Sequence, residues 1–129
     1  YTILNDVSAR DVQTAHKQWY FGKSLDGFTP IGPCIVTADA FADYPPRLGI
    51  RSFVNGEKRQ DSNTALQIFD IDHVIAELSQ GMTMKAGTII ATGTPAGVGM
   101  GMDPPQFLKP GDVVRCEIEG IGTLTNPVK

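Results

Sequence analysis

Near its start the chain reads YTILNDVSARDVQ, an apolar run that ends in an acid, a base, a second acid and an amide. An Asp at a strand end makes a good hard-metal ligand, because the strand fixes its backbone and a carboxylate oxygen reaches out. That residue is Asp6. A helix starting after it would put Arg10 and Gln13, three residues apart, on one face. Arg10 offers a bidentate fork for a carboxylate substrate, and Gln13 can donate or accept a hydrogen bond. Spacing alone also fits a plainer role: Asp6 as a helix-entry cap, with Arg10 and Asp11 in surface ion pairs.

Lys23 stands in YFGKSLDGF, a Gly-bounded loop that also holds Tyr20, Phe21 and Phe28. A lysine partly desolvated by such rings can steady a developing oxyanion or serve a proton transfer. A surface lysine laid along apolar rings has the same sequence. A third stretch, IIATGTPAGVG, runs a β-branched segment into a turn where Gly93, Gly97 and Gly99 would let the backbone approach a ligand. Thr92 and Thr94 offer hydroxyls there. The spacing is neither of the glycine motifs that cradle phosphates. His16 and His73 lack partners at metal spacing and read as surface or capping residues. Ser24 and Ser62 lack the context of a serine nucleophile. Met82, Met84, Met100 and Met102 read as gap-filling or turn residues.

Positioning these groups falls to a β-rich chain punctuated by 14 Gly and 9 Pro. Residues 1–5 read as a strand, and Ser8 with Asp11 resembles a capping box that opens a short helix. CIVTADAF reads as a second strand, and DYPPR as a break. Asn55-Gly56 between alternating runs predicts a two-residue hairpin turn with both turn residues at positive φ. DHVIAELSQG reads as a helix capped by Asp72, with Val74, Ile75 and Leu78 on one face and Gly81 just past its end. MKAGTIIATG and LKPGDVVRCE share one pattern 24 residues apart and predict the same tight turn feeding a buried strand. GIGTLTNPV suggests one or two strands more.

The 129 residues are enough for one domain, 1–129, with a real core. A net charge of −3 gives no electrostatic footprint for nucleic acid, and no apolar run is long enough to span a bilayer as a helix. Cys34 and Cys116, far apart and outside any Cys-x-x-Cys spacing, predict buried free thiols in a reducing cytoplasm. The chain opens inside a strand-like pattern without Met, as expected of the C-terminal part of a longer catalytic domain.

Five stretches in order carry a resemblance: NDVSARDVQ, QWYFGKSLDGFTPIGP, VNGEKRQDSNT, KAGTIIATGTPAGVG and FLKPGDVVRCEIEGIGTLTN. Together they resemble the C-terminal catalytic core of the fumarylacetoacetate hydrolase family, over nearly the whole chain. The resemblance implies a β-rich α+β fold, a mixed β-roll or β-sandwich with two or three short helices, and a homodimer. It implies Mg²⁺, Mn²⁺ or Ca²⁺ bound by three carboxylates, one of them Asp6. It further implies Lys23 as catalytic lysine, and Arg10, Gln13 and Thr94 at the substrate. The family's Glu-x-Glu ligand pair and its His-x-x-Glu water-activating dyad lie upstream of the Asp motif and are absent here. Gly27 stands where family loops often carry Thr.

The expected activity is metal-dependent hydrolysis of C–C bonds in small 2,4-dioxo acids through an enolate, without nucleic acid or membrane as partner. The alternative is isomerisation or decarboxylation of oxo-diacids, of the oxaloacetate decarboxylase or 2-hydroxyhepta-2,4-diene-1,7-dioate isomerase type. KSLDGFTPIGP leans toward a bacterial branch of isomerases, decarboxylases and dioxo-acid hydrolases, which takes in both readings. A non-catalytic fragment serving folding and dimerisation is the rival from another class. With one metal ligand of three, the 129 residues alone are expected to turn nothing over.

Overall fold

The computed structural model describes residues 1–15 and 17–129, so His16 lies outside the described residues. Strands β1 (Ile3–Leu4) and β2 (Ile31–Gly32) form a short antiparallel pair with Ile3 opposite Gly32. The Tyr1 amino group donates to the Val36 carbonyl at 2.7 Å, and the Val36 N–H donates back at 2.8 Å. The strand expected over CIVTADAF does not form: β2 ends before Pro33, and Ala38–Ala40 make a 3-10 turn. Pro33 has no N–H to continue a ladder, which is why the pairing stops there.

The main sheet has strands β3 (Gly49–Val54), β4 (Glu57–Asn63), β5 (Val113–Ile118) and β6 (Gly122–Pro127). Their spatial order is β4-β3-β5-β6, and every neighbouring pair is antiparallel. Two sheets and a few short helices make the β-rich α+β fold expected. Asn55 and Gly56 close the β3–β4 hairpin at φ of 52° and 84°, as their types allow. Gly87 and Gly111 close the paired turns at φ of 85° and 93°. Each turn has the same backbone bond, Thr88 N–H to Lys85 and Asp112 N–H to Lys109, both 3.0 Å. Only the second turn feeds a strand. Among the described residues the segment after Gly87 pairs with no strand, and Ile89 is exposed, contrary to the buried strand expected.

The Asn55 side chain also ties the hairpin to β5. Its Nδ2 donates to Asp112 Oδ1 at 2.8 Å, while its Oδ1 accepts from Val113 N–H at 2.9 Å. Asp112 Oδ2 accepts from Lys109 N–H at 2.8 Å. The Asn55 bond, then the Lys109 backbone bond, hold the Asp112 carboxyl below the usual carboxylate range. A lowered folded-state pKa contributes stability that is present above the unfolded value and lost as pH falls through the folded one. Wild type is therefore expected to exceed Asp112→Asn in stability near neutrality, and urea titrations should show that difference closing below about pH 4.

Helix α1 (Arg10–Ala15) follows β1, and helix α2 (Ile71–Ser79) follows the hairpin. Asp70 caps α2, its Oδ1 accepting from His73 N–H at 2.8 Å. The expected cap, Asp72, instead lies inside the first turn and accepts the Tyr44 hydroxyl at 2.6 Å. That bond is the main reason the Tyr44 phenol is pushed up to about 12. Asp70 takes the cap because it is the last residue with extended backbone before the helix. No residue of α2 is fully buried: Val74 and Leu78 are half-covered and Ile75 is exposed.

The core is small: Ile3, Leu48 and Ile121 are buried, with Val36, Ile118 and Leu124 packed against them. Tyr1 meets Phe41 edge-on at 5.5 Å. Cys116 packs at this core, and burial pushes its thiol up. Cys34 is exposed rather than buried, its thiol donating to the Ile121 carbonyl at 3.4 Å; both cysteines are free. Among the described residues no helix is long and apolar enough to cross a membrane.

Candidate functional site

The opening motif leaves β1 and enters α1. Ser8 does not cap that helix. Its hydroxyl donates to the Asp6 carbonyl at 3.1 Å and accepts from Lys23 Nζ at 3.1 Å. It is thus spent on the loop and on the lysine, and the helix opens with the Gln13 N–H on the Ala9 carbonyl at 2.8 Å.

Lys23 arrives on a 3-10 turn, Phe21–Lys23, laid directly against α1. The Ala9 N–H donates to the Gly22 carbonyl at 2.8 Å. A Cβ at the buried Gly22 would stand 2.8 Å from Gln13 N and 2.9 Å from the Ala9 carbonyl oxygen. Only a residue without a side chain lets the turn sit this close. The consequence is chemical: Lys23 Nζ forms an ion pair with the Asp6 carboxylate. Side-chain exposure of 28% for Lys23 and 39% for Asp6 leaves the pair open to water and small solutes. The rings of Tyr20 and Phe21 turn to solvent, so they give Lys23 little of the aromatic shelter expected. Thr29 Oγ1 donates to the Lys23 carbonyl at 3.0 Å and ties the loop back on itself. Gly27 has φ of 79°, a conformation a threonine would adopt only under strain, which fits glycine at that departure from the family pattern.

Arg10 and Gln13 meet as their spacing predicts. Arg10 Nη1 donates to Gln13 Oε1 at 2.6 Å, and Gln13 is 5% exposed. Gln13 therefore braces the guanidinium, and Arg10's remaining N–H groups have no protein partner among the described residues. A braced, half-buried guanidinium suits a carboxylate, which takes two parallel donors in one plane.

Thr94 is exposed in the turn of TGTPAG and is held by β4 rather than by the Asp6–Lys23 pair. Gln60 Nε2 donates to Thr94 Oγ1 at 2.8 Å and to the Pro95 carbonyl at 2.7 Å. No hydrogen bond or ion pair links Thr94 to Asp6, Lys23 or Arg10 among the described residues. Ser8 has the type of a cap rather than of a lysine partner, and Gln60 carries no signal of its own in the sequence. The signal for Gln60 was its register opposite Ser52, which a sequence does not print.

Two concavities lie elsewhere. One, of about 560 Å³, is lined by residues that include Tyr44, Arg47 and Asp70. The other is lined mostly by apolar groups, Leu78, Met82, Met84 and Ile90 among them. Among the described residues no three His, Cys, Asp or Glu side chains group so as to hold a metal ion. Asp6 offers a single carboxylate, already paired with Lys23. By themselves these residues do not fit a divalent cation, which needs several oxygen ligands to give up its waters.

Residues 1–129 match the family model described as fumarylacetoacetate (FAA) hydrolase C-terminal. The chain is 50% identical over 128 residues to oxaloacetate tautomerase YisK of Bacillus subtilis (strain 168), covering 99% of the chain and 42% of that protein. It superposes with TM-score 0.95 and 55% identity on a fumarylacetoacetate hydrolase from psychrophilic Exiguobacterium antarcticum, covering 100% of the chain and 46% of that one. A 2-hydroxyhepta-2,4-diene-1,7-dioate isomerase from Mycobacterium marinum matches with TM-score 0.85 and 47% identity, over 98% of the chain and 46% of that one. The chain thus spans less than half the length of these relatives.

Proposed function

The chain belongs to the fumarylacetoacetate hydrolase family, and on that premise we propose that the complete protein interconverts the enol and keto forms of a small 2-oxo diacid. Oxaloacetate and 2-hydroxyhepta-2,4-diene-1,7-dioate define the substrate class, since relatives named for them match at 50% and 47% identity. This reading replaces C–C hydrolysis as the first choice.

Enol–keto exchange moves a proton between carbon 3 and the 2-oxo oxygen, so charge develops on that oxygen. A fixed cation beside it lowers the barrier. The observation that carries the proposal is Lys23, held partly exposed between the Asp6 carboxylate and the Ser8 hydroxyl by the turn that Gly22 permits. Lys23 would face the developing oxyanion or hand it a proton. Arg10, braced by Gln13, would take one carboxylate, and the Thr94 hydroxyl would bond the other or the oxo group. Asp6 would lend one carboxylate to a divalent cation, Mg²⁺, Mn²⁺ or Ca²⁺, whose other ligands would come from outside these 129 residues. When bound, the cation would supply Lewis acidity at the substrate oxygens.

Hydrolysis stays as the second reading because a 55%-identical structure carries that name. We also read the protein as a homodimer: Trp19, Leu66 and Ile68 are 65%, 74% and 92% exposed, surface of the kind that partners cover. The test is to follow ultraviolet loss of enol-oxaloacetate by the complete protein, and cleavage of an acylpyruvate, with and without EDTA. Expected is rapid tautomerisation that EDTA abolishes and Mg²⁺ or Mn²⁺ restores. Cleavage without tautomerisation makes it a hydrolase, and no turnover of either substrate with metal added sinks the enzyme reading.

A further inference from the structure

Gln60 lies opposite Ser52 in the β3–β4 pair, and the next pair is Phe53 with Lys58. Arg59 is therefore an extra residue on β4, a bulge of the kind that re-aims side chains beside functional sites. The turn that carries Thr94 is seated on this bulge: a Cβ on Gly97, whose φ is 108°, would run into the Arg59 carbonyl. Both Gln60 amide hydrogens are committed, one to Thr94 Oγ1 at 2.8 Å and one to the Pro95 carbonyl at 2.7 Å. Its Oε1 accepts from Ser52 Oγ at 2.8 Å.

Chemistry fixes which way this amide points. The Pro95 carbonyl only accepts, so Nε2 must face it; a flipped amide would set two carbonyl oxygens against each other. Thr94 Oγ1 is then an acceptor toward Gln60, and its own hydrogen has to point away. Thr94 is exposed, so that hydrogen is offered to whatever occupies the site. We propose that Gln60 is a positioning residue: locked by Ser52 and Pro95, it makes the Thr94 hydroxyl a committed donor for a substrate carboxylate or oxo oxygen. The inference rests on the reading of Thr94 as a substrate contact.

The test uses the complete protein with enol-oxaloacetate and a double-mutant cycle between Gln60→Met and Thr94→Val. Methionine keeps the length of glutamine and removes the donor. Each single variant is expected to raise KM about tenfold, the weight of one hydrogen bond, with kcat changed less than about threefold. The double variant should match either single one, and Thr94→Ser should keep most of the affinity. Gln60→Glu, whose carboxylate accepts from Thr94 and draws its hydrogen inward, should raise KM at least as far as Gln60→Met. It reports independently if the methionine variant melts below the assay temperature. Thr94→Val with wild-type KM overturns the contact and the inference together. Thr94→Val impaired beside unimpaired Gln60 variants overturns the inference alone, as does a Gln60→Met penalty that multiplies fully onto Thr94→Val.

Discussion

Replacing Lys23 by methionine is expected to lower kcat/KM of the complete protein by about 10²–10³-fold while changing its stability by less than about 1 kcal/mol. The two magnitudes separate because the same contact does two unequal jobs. As an ion pair, Lys23–Asp6 is partly exposed, and exposed pairs hold little folding free energy. As the preorganised cation we propose beside a developing oxyanion, Lys23 would act where substrate displaces water, and loss of one such group costs orders of magnitude in rate. Lys23→Arg keeps the charge but carries it on a planar fork in place of a compact ammonium, and should recover only part of the rate. Steady-state kinetics beside urea unfolding reads both quantities. A methionine variant that loses several kcal/mol along with activity would assign Lys23 to the fold, and one that retains full activity would remove it from the site.

Lys23 and Asp6 also show how far the sequence alone carries the argument. Their types and their place in five ordered stretches single them out, and the structure brings them into contact across 17 positions of chain. Arg10 and Gln13 were legible from helical spacing, because a step of three in a helix brings two side chains together. The hairpin was legible because positive φ at both turn positions is a local requirement that Asn-Gly meets. What was not legible depended on neighbours. CIVTADAF and IIATG have the composition of strands, but a strand needs a paired edge. The pairing stops at Pro33 in one case and is missing among the described residues in the other. Ser8 has the type of a cap, yet an ammonium 15 residues away takes its hydroxyl. Gln60 looked like one polar residue in a hairpin arm until a bulge turned it toward Thr94.

Gly22 is the passed-over residue whose replacement should do most damage. Glycine in FGKS reads as loop punctuation, but here it is buried, and its missing side chain is the contact surface between α1 and the lysine turn. Gly22→Ala would force the new methyl to within 2.8 Å of Gln13 N and 2.9 Å of the Ala9 carbonyl, and both neighbours are backbone that cannot swing aside. The turn must lift off α1, stretching the Ala9–Gly22 bond and drawing Nζ away from Asp6. Overpacking of this kind costs about 1–3 kcal/mol, and a displacement near 1 Å at a reacting group can cost about 100-fold in rate. Gly27→Ala on the same loop is the control, because a Cβ there meets nothing within 4 Å and only the φ of 79° is unfavourable. It should lose about 1 kcal/mol of stability and keep kcat/KM within about threefold. Urea unfolding and kinetics on both variants therefore separate strain in the loop from loss of the seat beneath Lys23. If Gly22→Ala keeps kcat/KM within the same threefold, the packing of that turn against α1 is not what aims the lysine.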